Sequence, residues 1–305
     1  MSLFLNSNNE LRSGWKFAAY VMFFLILWVA TGLFVTAFVV PRVVTLLQDQ
    51  LIILALNQIA LIVPAILAMW LTVSLLDHRP LRTFGIGFLP HWRQDVMFGL
   101  AISAGMLAVM IGGSYAFGFV VMRWTGGQVS PGVLVATLSL LLVAAASEEL
   151  VFRGFPLQLL IDGLGKWPGM IAMSTLFGAL HLSNPNASLL GMINTILAGI
   201  VLSLAYVKTR SLWLPYGIHA GWNIGLGFVF GFPLSGIDLA SLWTTGTAGS
   251  ETILGGGYGP EGGLLTTFVF LTAALIVEKH GSNNSTETSV GSSSWRNHRD
   301  RAGDA

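Results

Sequence analysis

Ser147-Glu148-Glu149-Leu150-Val151-Phe152-Arg153 stands at the inner end of an otherwise apolar run that begins near Pro131. An ionised side chain in hydrocarbon costs at least ~2.5–3.5 kcal/mol on insertion scales, so three within six residues require partners or a wet cavity. Such groups mark functional sites by default. On a helix Glu149 and Arg153 stand four apart on one face and can neutralise each other, whereas Glu148 projects about 100° away from Glu149. Glu148 is then the free carboxylate. The competing reading is that the trio only locks two helices together through a buried ion pair.

Working outward, composition places the chain in a membrane. Charged residues make up 10% of the 305 residues, against about 25% in soluble domains, and the mean hydropathy is +0.73. The expected fold is all-α, a polytopic membrane protein with a buried polar active site. A net charge of +1 points to no particular partner, and nucleic acid is not expected as one. The sequence has no cysteine, which excludes disulfides, thiolate nucleophiles and cysteine-ligated zinc. The apolar run from Trp15 to Val40 is about twice as long as a signal-peptide core and lacks a small-residue cleavage site, so it reads as the first span.

Apolar windows of about 20 residues are needed to cross a ~30 Å hydrocarbon core. About eight occur, at roughly 15–40, 51–76, 96–122, 132–158, 167–183, 187–207, 211–232 and 263–278. Residues 77–95, with Arg79, Arg82 and Arg93 among Leu81, Phe84 and Trp92, read as an interfacial segment or a surface loop. Counting Lys and Arg in alternate loops puts twelve of the fifteen on the side of the N-terminus, with Arg42 and Arg123 opposite and Arg153 within the membrane. Both termini should therefore be cytoplasmic. Pro233 to Gly262, rich in Gly, Ser and Thr, has Asp238, Glu251 and Glu261 but no Lys or Arg and reads as an external loop. Residues 281–305 are polar and should form a disordered cytoplasmic tail.

Two further polar points interrupt apolar spans. Phe177-Gly178-Ala179-Leu180-His181 closes the fifth, and His219-Ala220-Gly221-Trp222-Asn223 lies in the seventh, with His219 and Asn223 four apart on one face. At ~1.5 Å per residue, His181 is ~22 Å above Lys166, His219 ~13 Å above Arg210 and Glu148 ~18 Å from a boundary near residue 160. All three fall in the middle of the membrane and could converge on one cavity. A lone histidine on a helix is more often structural than catalytic; three polar groups at one depth weaken that reading.

One carboxylate and two imidazoles suit two kinds of hydrolysis. In the first, Glu148 takes a proton from a water held between it and His181, and His219 with Asn223 donates to the tetrahedral oxyanion. In the second, Glu148, His181 and His219 bind a divalent metal such as zinc with one open position. A second carboxylate would then have to serve as base, and Glu149 is paired with Arg153.

The set Glu148-Glu149-x-x-x-Arg153, Phe177-x-x-x-His181 and His219-x-x-x-Asn223, in this order on successive helices, resembles the CPBP family of intramembrane proteases. That family comprises CAAX prenyl endopeptidases and bacteriocin-processing proteins, formerly called Abi. The likeness covers about residues 140–225. It implies that Glu148 is the general base acting with His181, that Glu149 and Arg153 support it, and that His219 and Asn223 make the oxyanion site. The family is often called a metalloprotease, so the metal alternative stays open. The chain then divides into spans 1–3 over 1–130 with the interfacial segment, a CPBP-like catalytic core over 131–280, and the tail.

The expected activity is that of an endopeptidase in the plasma membrane acting on a membrane-associated peptide or protein, with the lipid bilayer as its other partner. The alternatives are a non-catalytic membrane scaffold or peptide-binding partner, and an ion-coupled transporter that uses Glu148 and the histidines as a relay.

Overall fold

The computed structural model describes residues 3–6, 9–43 and 50–287. The chain is all-α and polytopic. In order, α1 is Ser13–Arg42, α2 Gln50–Asp77 and α3 Trp92–Ala116. They are followed by α4 (Pro131–Phe152), α5 (Gly154–Leu164) and α6 (Lys166–Leu180). The last three are α7 (Leu189–Thr209), α8 (Trp213–Asn223) and α9 (Leu264–Glu287). Residues 288–305, most of the expected tail, lie outside the described residues. Two short strands, β1 (Val120–Trp124) and β2 (Trp243–Thr247), pair antiparallel with Trp124 opposite Trp243.

Among the described residues, five helical segments are long and apolar enough to cross a membrane: Ser13–Arg42, Gln50–Asp77, Trp92–Ala116, Pro131–Leu164 and Leu189–Thr209. Of the three other expected spans, α9 is a helix of 24 residues, while α6 and α8 are helices too short for that measure. With 15 residues, α6 rises about 22 Å, less than a ~30 Å core. Eleven residues make up α8, which runs on through a π turn, Ile224–Val229.

The window read as 132–158 is not one helix. Arg153 has extended backbone at φ −115° and ψ −158°, and Gly154 follows at φ +54°. A left-handed residue is costly with a Cβ and cheap for glycine, and a Cβ here would also meet the carbonyl of Phe84 at 3.1 Å. The turn ends α4 one residue before Arg153, so the side chain leaves from the helix end and is fully buried. It also removes the straight-helix basis for placing Glu148 ~18 Å from residue 160.

At the ends of α1, α2 and α5, Asp77 Oδ2 receives Lys16 Nζ at 3.0 Å, and Arg79 bridges Asp77 at 2.5 Å and Asp162 at 2.9 Å. Lys16 and Arg79 belong to the side that the Lys/Arg count made cytoplasmic, so the expected interfacial segment is anchored to the helix ends by ion pairs at its start.

The helix that carries His219 is set by backbone contact. A Cβ on Gly217 would lie 2.5 Å from the carbonyl oxygen of Val96, and one on Gly99 would lie 2.6 Å from the nitrogen of Ile218. Backbone on both sides cannot move aside, so α3 and α8 cross at a distance only glycine permits, the usual device of membrane helix packing. Ser103 Oγ then donates to the Ile218 carbonyl at 2.5 Å. Gly217→Ala is expected to destabilise the protein by about 1–3 kcal/mol through overpacking. An unchanged unfolding midpoint in detergent micelles would refute the close-crossing account.

Candidate active site

Three helices deliver the polar groups. From α4 come Glu148 and Glu149; His181 opens a 3-10 turn directly after α6; His219 and Asn223 stand one turn apart on α8. Glu148, His181, His219 and Asn223 line one cavity of ≈140 Å³. The residues that sequence placed at similar depth are thus brought together in space.

His219 is the hub. Its Nδ1 lies 2.7 Å from Glu149 Oε1 and its Nε2 lies 3.7 Å from Glu148 Oε2. Because a carboxylate only accepts, Nδ1–H donates to Glu149 and fixes the ring plane, which turns Nε2 towards Glu148. Glu149 Oε1 also receives Arg153 Nη1 at 3.2 Å, with both side chains 1% exposed. The expected Glu149–Arg153 pair is present, but Glu149 holds a histidine as well. Glu148 is the more accessible acid, its side chain 22% exposed.

His181 is oriented differently. Its Nδ1 donates to the Phe177 carbonyl at 2.8 Å, one turn back. The neutral ring therefore keeps its lone pair on Nε2. Phe177 packs near both imidazoles, with ring centroids 4.6 Å from His181 and 6.4 Å from His219. The Arg153 guanidinium sits 4.5 Å from the Phe177 ring centre, a cation–π contact that ties the ion pair to the ring packed near both histidines.

Sequence reading missed Glu261. The loop expected to lie outside folds back onto the cavity, where the Glu261 carboxylate accepts from Trp222 Nε1 at 3.0 Å and from Ser235 N and Oγ, each at 2.6 Å. Asn194 of α7 donates to the Glu261 and Gly263 carbonyls at 2.8 and 2.9 Å. Trp222 precedes Asn223, so this loop braces the helix turn that carries the amide. The available signal was a lone acid framed as Gly259-Pro260-Glu261-Gly262-Gly263.

The His₂Glu metal alternative does not fit. Among the described residues no group of three or more His, Asp or Glu side chains is arranged to hold a metal ion, although the Nδ1 bonds of His219 to Glu149 and of His181 to a carbonyl leave both Nε2 atoms free. No step below uses a metal.

Comparison with known families selects the same segment. Residues 128–225 match the family model described as type II CAAX prenyl endopeptidase Rce1-like. This segment is similar to that Rce1-like family. It runs from just before α4 to the end of α8 and holds all six residues of the expected set. The likeness supports a protease-type function in the membrane. Over 193 residues the chain is 31% identical to uncharacterized protein YyaK of Bacillus subtilis (strain 168), covering 59% of this chain and 62% of that protein. Over 103 residues it is 31% identical to an uncharacterized 24.3 kDa protein of Escherichia coli, covering 33% and 46%. The chain thus spans less than two thirds of each relative's length.

Proposed function

We propose that the protein is a glutamate-dependent intramembrane endopeptidase of a plasma membrane, with both termini in the cytoplasm and a membrane-associated peptide or protein as substrate. The observation that carries this reading is the single cavity shared by Glu148, His181, His219 and Asn223. Glu148 accepts a proton from a water whose other hydrogen is directed to His181 Nε2, and the oxygen adds to the scissile carbonyl carbon. The carbonyl oxygen becomes an oxyanion, which receives hydrogen bonds from the Asn223 amide and from protonated His219 Nε2. Glu148 then returns its proton to the leaving nitrogen as the C–N bond breaks, giving a carboxylic acid and an amine.

The short Glu149–His219 contact favours a second assignment within the same reaction. There His219, oriented by Glu149, takes the proton of water, in the manner of an acid–histidine pair. The two assignments differ in which carboxylate limits the rate.

The test is hydrolysis of internally quenched peptides by the purified protein in liposomes. Asn223→Ala is expected to lower kcat by about 10²–10³-fold with little change in KM, the effect of one oxyanion donor. Activity within a few-fold of wild type would remove Asn223 from the oxyanion site. Substrate-gradient uptake without cleavage would instead establish a transporter.

A further inference from the structure

The cavity has a wall that the segment matching the Rce1-like family does not supply. Residues Leu54 and Gln58 of α2 line it, one helical turn apart on a single face, and α2 packs along α4, which carries Glu148. Asn57 and Gln58 interrupt a long apolar stretch between Leu51 and Met69, and of the two Gln58 lines the cavity. Its Oε1 is buried and has no hydrogen-bond partner among the described residues. Buried polar groups are ordinarily paired, and each exception asks for an explanation. The mechanism above uses no residue of α2.

We propose that Gln58 is a substrate-binding residue, an inference that rests on the endopeptidase reading. A carboxamide both donates and accepts, which matches the alternating N–H and C=O groups of an extended peptide. Gln58 therefore binds the main chain of the segment to be cut and presents it to Glu148 across the cavity. Such a contact reads backbone conformation and leaves sequence preference to the apolar walls, among them Leu140, Leu141 and Ala144. At ≈140 Å³ the cavity is close to the ~150 Å³ that admits a benzene ring. It accommodates one apolar side chain of about that size. The substrate class is thus an unwound apolar peptide held by its main chain.

Gln58→Leu removes the amide and keeps the volume. In liposomes, with internally quenched peptides, the variant is expected to raise KM roughly 5–10-fold, the loss of one neutral hydrogen bond. Its kcat should change less than twofold and its unfolding midpoint should stay or rise, because a buried unpaired group has gone. Unchanged KM, or a fall in kcat together with a fall in the midpoint, would mean that Gln58 only packs.

A second measurement does not depend on turnover. An acetylated tetrapeptide amide bearing a diazirine leucine is photolysed with Glu148→Gln protein and with the Glu148→Gln, Gln58→Leu double variant. Labelling of residues facing the cavity, reduced about fivefold or more in the double variant, supports the inference even where no peptide is cleaved, an outcome that would sink the endopeptidase reading alone. No labelling, or equal labelling, overturns the Gln58 role.

Discussion

Glu148→Gln is expected to lower peptide cleavage by about 10²–10⁴-fold, the range for losing a positioned general base, while leaving the protein folded. Glutamine keeps the shape and the hydrogen-bonding reach but cannot hold the proton of water. Stability should hold because Glu148 is partly exposed at 22% and its recorded ion-pair contact, to His219 Nε2, is long at 3.7 Å. The measurement is the initial rate on quenched peptides in liposomes, beside the thermal unfolding midpoint of the same preparation. His181→Ala should fall in the same class, since in the proposed mechanism its Nε2 accepts from the attacking water. If Glu148→Gln kept activity within about tenfold and Glu149→Gln did not, His219 would be the base and Glu148 a bystander.

How much of this could be read from the chain depends on the range of the interaction. Hydrophobic windows gave the order and approximate limits of the helices because each is a local property, and α2 at Gln50–Asp77 lies close to the expected 51–76. The i, i+4 rule gave Glu149–Arg153 for the same reason. It could not give Glu149–His219, whose partners are 70 positions apart, because such a pair exists only once α8 packs against α4. Helix spacing alone therefore assigned Glu149 a single partner. The break at Gly154 was hidden as well, since an isolated glycine in a helical pattern is tolerated and left-handed φ has no periodic trace. Glu261 was obscured by its loop: acidic, glycine-rich segments are ordinary outside a membrane, and its bonds to Trp222 and Ser235 span 39 and 26 residues.

Glu149→Ala is expected to fail twice, and the two failures can be separated. It strands a fully buried Arg153, and breaking a buried pair by removing one partner costs about 3–5 kcal/mol. It also releases His219 Nδ1, whose 2.7 Å bond sets the ring plane, so activity should fall even in the fraction that folds. A double variant, Glu149→Ala with Arg153→Leu, takes away both charges, and replacing a buried pair by apolar groups is often neutral or stabilising. Its unfolding free energy in micelles should recover most of the loss, whereas its cleavage rate should not recover, because the imidazole still lacks its acceptor. If stability and activity returned together, Glu149 would act only through Arg153, and the carboxylate–imidazole contact would have no part in catalysis. If neither returned, the Arg153 contact with Phe177, the ring packed near both histidines, would be what holds the site, since the double variant removes that guanidinium as well.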